Sequence, residues 1–127
     1  MEKIENIIST KIISTCFKIH KKLGPGLLES VYEEILCFEL FKLNLEFERQ
    51  KPIPLLYDNI SLNIGFRADI IVEKKVILEL KAIEQLAPVH KMQLLTYLKI
   101  TNLKLGLLIN FNSENLSDNI KRVANNL

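Results

Sequence analysis

Residues 67–81 read RADIIVEKKVILELK, and the centre of the predicted sheet follows from this segment. Two apolar runs rich in Ile, Val and Leu flank the charged residues 73–75, a pattern typical of a β-hairpin. Three further charged residues, Asp69, Glu79 and Lys81, lie inside these apolar runs. A charged side chain is almost never fully buried without a partner, because losing its hydration costs several kcal/mol or more. The pattern therefore indicates that something compensates these three charges.

The length of the turn decides whether the charges meet. Side chains alternate across a strand, so Glu79 and Lys81 share one face. If residues 73–75 form a three-residue loop, Asp69 falls opposite Glu79, whereas a two-residue loop would place it opposite Leu80, on the other face. The three-residue loop also gathers the apolar side chains of both strands on one face. We therefore expect Asp69 beside Glu79.

Two opposed carboxylates repel each other, and a divalent cation would turn that repulsion into attraction. Mg²⁺ and Mn²⁺ are held by oxygen ligands, commonly one or two carboxylates completed by water and substrate phosphate. Asp69 and Glu79 supply such a pair, and Lys81 would lie beside the nucleophilic water. The spacing alone leaves a second interpretation open, in which the three residues form a solvated ion-pair cluster on a half-exposed sheet.

Periodicity predicts an α/β fold with a mixed sheet of about four to five strands flanked by helices. A three-and-four apolar spacing predicts helices, and short β-branched runs between turn residues predict strands. The strand, helix and strand between residues 76 and 111 form a right-handed crossover, so these two strands are expected to be parallel. The predicted helices are 2–22, 28–43, 88–100 and 117–125, and the predicted strands are 46–57, 60–66, 67–73, 76–82 and 104–111.

Composition sets the class of protein. A chain of 127 residues with net charge +2 fits one domain, 1–127, without a strongly basic face for nucleic acid. Cys16 and Cys37 lie in apolar helical surroundings and far from metal-ligand spacing, so we interpret them as core residues of a protein in a reducing compartment. No apolar run approaches 18 residues and no signal peptide is visible, so we expect a cytoplasmic protein without a membrane partner.

Three segments together resemble a known family: residues 20–36 (HKKLGPGLLESVYEEIL), 66–99 (FRADIIVEKKVILELKAIEQLAPVHKMQLLTYLK) and 105–112 (LGLLINFN). They are similar to the GxxExxY proteins of the PD-(D/E)xK nuclease superfamily, with Gly26, Glu29 and Tyr32 in the positions of the namesake motif. The resemblance implies a PD-(D/E)xK nuclease-like core.

The resemblance also implies roles for individual residues. Asp69 and Glu79 look like the metal-binding acids and Lys81 like the catalytic lysine. Glu29 would complete the site or assist a second metal, and Leu80 would offer its backbone carbonyl as a further ligand.

The third predicted helix carries Gln93 and Tyr97 as Q-x-x-x-Y, which is similar to a motif that lies close to the substrate strand in RecB-like nucleases. Arg67 is a candidate for phosphate contact. The exposed-surface interpretation of these residues stays open.

The sequence thus predicts a Mg²⁺- or Mn²⁺-dependent DNA nuclease that hydrolyses phosphodiester bonds with metal-activated water. Its preferred DNA structure and its exonuclease or endonuclease mode stay open. The alternative is a non-catalytic nucleic-acid or protein interaction module that keeps the nuclease fold. We also expect a homodimer, because one small domain of charge +2 offers little surface to hold a duplex.

Overall fold

A computed structural model describes residues 2–127, and Met1 lies outside this range. Helices lie on both faces of a five-stranded mixed sheet of order β1-β2-β3-β4-β5, which confirms the predicted α/β class. Strands β3 and β4 are parallel, as the crossover rule predicts, and every other neighbouring pair is antiparallel. The elements are α1 Ile4–Leu23, α2 Glu29–Lys42, β1 Phe47–Tyr57, β2 Ile60–Val72, β3 Val76–Lys81, α3 Pro88–Thr101, β4 Leu105–Asn110, a 3₁₀ turn Leu116–Asn119, and β5 Ile120–Ala124.

The sheet has a hydrophobic core on each face. Helices α1 and α2 pack on one face and α3 packs on the other. Cys16 and Cys37 belong to the first core, and burial raises the pKa of their thiols to about 12 and about 11. The α3 core consists of Ile53, Ala68, Ile71, Ile77, Leu94, Leu98, Leu108 and Val123.

The turn between β2 and β3 has the predicted length. Val72 pairs with Val76, so residues 73–75 form the loop. Glu73 and Lys74 adopt left-handed backbone conformations, with φ of 53° and 55°, and the Lys75 N–H donates to the Val72 carbonyl (2.9 Å). The turn therefore forms without glycine, and it sets the register on which the charged residues depend.

Two predicted elements are wrong. Residues 60–66 and 67–73 form one strand, β2, because a register shift between Ile53 and Leu55 of β1 absorbs the irregularity near Gly65. The short amphipathic helix predicted over residues 117–125 is the second error, because most of this segment is β5. Pairing with the open edge of β4 provides partners for its backbone, which so short a helix could not provide for itself.

Candidate active site

The β2–β3 pair separates at Asp69 and Glu79. The antiparallel register ends at Ile70 and Leu78, and side chains take over the backbone hydrogen bonds from there. The Asp69 N–H donates to Glu79 Oε2 (3.0 Å), and the Leu80 N–H donates to Asp69 Oδ2 (2.9 Å). Each carboxylate thus bonds to the other's strand, which confirms that the two side chains lie together.

The pair is costly to ionise. Burial first, and the charge of the nearby Asp69 carboxylate second, raise the pKa of Glu79 to about 8. Burial also raises the pKa of Asp69, and the hydrogen bond from Leu80 opposes this shift. Ionising both carboxylates in this partly buried space is therefore unfavourable unless positive charge compensates them.

Lys81 and Glu29 lie around this pair. Lys81 ends β3 and is half-buried, and its ammonium partly offsets the raised pKa values of Asp69, Glu79 and Glu29. Glu29 begins α2, where burial first and the Asp69 charge second raise the pKa of its carboxyl. The start of α2 and the end of β3 therefore meet at the carboxylate pair.

Tyr32 fixes the segment that leads into Glu29. Its hydroxyl donates to the Gly24 carbonyl (2.6 Å) and accepts from the Leu27 N–H (3.2 Å). Its ring is fully buried and stacks on Phe111 with centroids 4.5 Å apart. Gly26 has a φ of 104°, which L-residues with side chains rarely adopt. The Gly26, Glu29 and Tyr32 pattern thus builds one turn that presents an acid.

The residues predicted to bind substrate lie around the pair at different depths. Tyr97 of α3 is half-buried and stacks on Phe66 with centroids 3.7 Å apart. Burial raises the pKa of Tyr97, and the charges of Glu79 and Asp69 raise it further, which places its hydroxyl near them.

Gln93 lies one helical turn before Tyr97 and is exposed. Arg67 lies two residues before Asp69 on β2 and is also exposed. Neither side chain is brought into the carboxylate pair.

Sequence analysis missed two residues behind Asp69. Gln50 Nε2 donates to Glu33 Oε1 (2.8 Å) and lies 3.5 Å from Asp69 Oδ1. Glu33 is buried and also accepts from Arg49 Nη2 (3.0 Å). Glu33 follows Glu29 by one helical turn, so helical spacing could have identified it. No local pattern marks Gln50.

Asn110 is the third missed residue. It is fully buried at the end of β4, directly beside Lys81. Its side chain donates to the Ile83 carbonyl (3.0 Å) and accepts from the Ile83 N–H (3.1 Å). Asn110 thus fixes the chain that follows Lys81. In the sequence, a polar residue at the end of the apolar run LGLLIN could have identified it.

The donor set fits a hard divalent cation. Within residues 2–127, no three His, Cys, Asp or Glu side chains lie close enough together to ligate one ion. Asp69 and Glu79 provide two carboxylates, which is a common protein contribution to a Mg²⁺ site. Oxygen donors with no thiol or imidazole favour Mg²⁺ or Mn²⁺ over Zn²⁺.

A family model of the PD-(D/E)XK nuclease superfamily matches residues 6–123. The chain belongs to this superfamily. Its fold is also similar to the crystal structure of SSO0001, with a TM-score of 0.57 and 23% sequence identity over 78% of this chain and 51% of that one. At this identity the likeness shows the fold alone, and the chain spans about half the length of that protein. No curated protein matches the chain.

Membership confirms the superfamily resemblance and the nuclease-like core. None of the helices formed by residues 2–127 is long and apolar enough to cross a membrane.

Proposed function

We propose that this superfamily member is a metal-dependent DNA nuclease that hydrolyses phosphodiester bonds. The observation that carries the proposal is the replacement of β2–β3 backbone pairing by the carboxylates of Asp69 and Glu79. A fold that only needed a sheet would continue the backbone pairing and place apolar residues here. The buried pair makes physical sense when a cation occupies it.

We propose Asp69, Glu79 and the Leu80 carbonyl as ligands of Mg²⁺ or Mn²⁺, and Glu29 as the acid that assists a second metal. Such an ion would supply positive charge that makes a water molecule more acidic and offsets the charge of a phosphate oxygen. Burial makes an uncompensated negative pair unfavourable, so a divalent cation is expected to bind most tightly when both acids are ionised.

Lys81 has a different role because it carries positive charge. It orients the attacking water and stabilises charge that develops on the phosphate. Tyr97, Gln93 and Arg67 then hold the DNA strand, with the exposed Gln93 and Arg67 reaching backbone atoms and Tyr97 lying nearer the acids.

The turn that presents Glu29 supports a finer placement in the GxxExxY group. Each motif residue has a distinct part in this turn. Gly26 adopts a positive φ, Glu29 provides the acid, and the Tyr32 hydroxyl bonds to the Gly24 carbonyl. We further propose that residues 1–127 form one nuclease-like domain that works in the cytoplasm.

The test is cleavage of single-stranded, duplex and branched DNA with Mg²⁺, Mn²⁺ or EDTA. Wild type is expected to cut at least one substrate only when the metal is present. Glu79→Gln is expected to abolish cleavage, whereas the matched control Glu114→Gln, which removes an exposed carboxylate elsewhere, keeps wild-type activity. Binding of DNA without cleavage of any substrate would favour the interaction-module alternative instead.

We also propose a homodimer formed by the β1–β2 ribbon. Beyond Ile53 and Phe66 the two strands leave the body of the domain, and their register pairs Leu55 with Leu62 and Tyr57 with Ile60, which places these four side chains on one face. Tyr57, Ile60, Leu62 and Ile64 are exposed, at 68%, 58%, 46% and 50%. An isolated two-stranded hairpin is marginal in water, so such a face is expected to be covered.

A second copy fits this face better than nucleic acid does. Residues 53–66 contain one charged side chain, Asp58 at the tip, and no Lys or Arg to meet phosphates. Two apolar ribbon faces are self-complementary about a two-fold axis and need no matching charges. A standard interface buries roughly 800 Å² per partner, so surface next to the ribbon is expected to contribute as well.

Sedimentation velocity over a range of concentrations tests the dimer. Leu62→Lys places a charge on the apolar face and is expected to shift the protein to monomer. Ser61→Lys places the same charge on the opposite face of the same strand and is expected to leave the dimer intact. A monomeric wild type, or equal behaviour of the two variants, would refute the ribbon interface.

A further inference from the structure

Gln50 has an unusual backbone conformation for a residue inside a strand. Its neighbours Arg49 and Lys51 pair in register with Ile70 and Ala68 of β2, which sets Gln50 directly across from Asp69. Its φ is 48°, in the left-handed region that residues with side chains rarely adopt within a strand. Such a conformation persists where the surrounding structure holds it in place, and it often marks a functional site.

The side chain of Gln50 lies between two acids. Its Nε2 donates to Glu33 Oε1 at 2.8 Å and points to Asp69 Oδ1 at 3.5 Å. The other oxygen of Asp69 accepts from the Leu80 N–H. The Asp69 carboxyl is thus held at Oδ2 by β3 and approached at Oδ1 by β1.

We infer that Gln50 is a positioning residue that fixes the orientation of the Asp69 carboxylate and separates it from Glu33. This inference rests on the proposed function, because that function makes Asp69 a metal ligand. A neutral amide suits this place, since it donates to both acids without adding a charge that would compete with a cation. Arg49, one residue earlier, shows the contrast: its guanidinium carries a full positive charge, and it pairs with Glu33 and Glu34.

Two substitutions separate positioning from a structural role. Gln50→Gly removes the amide and also removes the backbone strain. Gln50→Asn keeps an amide and a residue that tolerates left-handed φ, but it is one methylene shorter and cannot reach both acids. Asn44→Gly is the matched control, because Asn44 also has a left-handed φ (59°) and lies in the exposed turn after α2.

Three readouts are needed: the thermal midpoint in EDTA, the Mn²⁺ affinity by calorimetry, and the three-bond couplings that report the Asp69 χ1 rotamer. Gln50→Gly and Gln50→Asn are expected to weaken Mn²⁺ affinity about tenfold or more, as loss of a residue behind a metal ligand usually does. Their thermal midpoints stay level or rise, and the Asp69 χ1 becomes averaged. Asn44→Gly changes neither the affinity nor the couplings.

A merely structural Gln50 would give the opposite pattern, with a lower thermal midpoint and unchanged Mn²⁺ affinity. A single Asp69 rotamer in Gln50→Gly would overturn the inference. The proposed function fails separately: wild type would then bind no Mn²⁺ and cut no DNA, while the couplings would still decide whether Gln50 holds Asp69.

Discussion

The two ends of strand β2 differ in the kind of unfavourable surface that they contain. At the end near β3, the half-buried Asp69 lies beside the buried Glu79, where charge is unfavourable. At the end near the β1–β2 turn, Ile60, Leu62 and Ile64 lie in solvent, where apolar surface is unfavourable. One strand therefore places charge inside and hydrocarbon outside.

The contrast indicates that each end of β2 is suited to a binding partner as well as to the fold of one chain. A buried carboxylate pair gains most from a small divalent cation, and an uncharged amphipathic ribbon gains most from a protein surface. The two ends differ in chemistry, so changes at one end should leave the other unaffected. Each experiment below tests that separation.

The largest expected effect is on catalysis at the acidic end. Lys81→Ala is expected to lower the cleavage rate by a factor of about 10² or more, because it removes charge stabilisation in the transition state. Its Mn²⁺ affinity should be nearly unchanged, since the negative ligands remain. Asp69→Ala should lose affinity and rate together. Paired calorimetry and cleavage assays measure both quantities.

The outcome for Lys81→Ala is decisive in one direction. Cleavage as fast as that of wild type would remove Lys81 from the mechanism. The ribbon variant Leu62→Lys serves as the control at the other end of β2, and its Mn²⁺ affinity should equal that of wild type.

The second effect is on stability, through Glu79. The folded pKa is about 8 and the usual value is 4.5, so between these values the folded state holds more protons than the unfolded state. The free energy of unfolding without metal therefore falls as pH rises from 4.5 to about 8 and levels off above. Glu79→Gln cannot ionise, so above about pH 8 it should be more stable than wild type by ~2 kcal/mol or more.

Thermal unfolding in EDTA across this pH range measures the slope, and Glu114→Gln should retain it. Added Mn²⁺ should raise the thermal midpoint of wild type far more than that of Glu79→Gln. A Glu79→Gln variant that is less stable than wild type at every pH would contradict the buried-charge interpretation of this end.

How much the sequence could predict depends on how local each cause is. The register of Asp69 and Glu79 follows from alternation and a three-residue turn, both visible in residues 67–81. The helices follow from apolar spacing, although their bounds shift by a residue or more. Lys81 follows from the same alternation, because it shares a face with Glu79, whereas Glu29 came with the family resemblance. The structure places both beside the pair.

What the sequence could not predict depends on distant partners. Strand β5 forms because β4 has an open edge, and five residues with Ile120 and Val123 three apart fit a helix equally well. Gln50 acquires its place from a left-handed turn of the backbone and from Glu33, which lies 17 positions earlier in the chain. Neither cause is present in the segment itself.

The third effect tests the packing beneath the acidic end. A Cβ on Gly106 of β4 would lie 2.8 to 3.0 Å from three side-chain atoms of Leu94, which is fully buried on α3. Gly106→Ala should therefore cost about 1–3 kcal/mol of stability, as overpacking usually does. Leu94→Ala in the same chain should recover part of that cost. A double-mutant cycle by denaturant unfolding measures the coupling between the two sites. If the two changes in unfolding free energy simply add, then α3 and β4 adjust independently and the predicted clash is absent.

The smallest effect on stability is expected at the ribbon. A Cβ on Gly65 would lie 2.7 Å from Leu55 Cβ, an atom fixed to the backbone of β1, so Gly65→Ala must push the two strands apart. The exposed ribbon has little core to lose, and the stacked Phe66 and Tyr97 rings separate it from the body of the domain. The cost should therefore stay at the lower end of the range for overpacking, about 1 kcal/mol.

Hydrogen exchange shows whether this small effect is confined to the ribbon. In Gly65→Ala, amides between Leu55 and Leu62 should exchange faster, while those at the Ile70–Leu78 pair keep their protection. Mn²⁺ affinity should not change, and the dimer should weaken, because the apolar ribbon face loses its shape. Faster exchange at both ends would mean that β2 opens as one cooperative unit. The acidic site and the ribbon would then be coupled through the strand they share, and the separation of the two ends would be wrong.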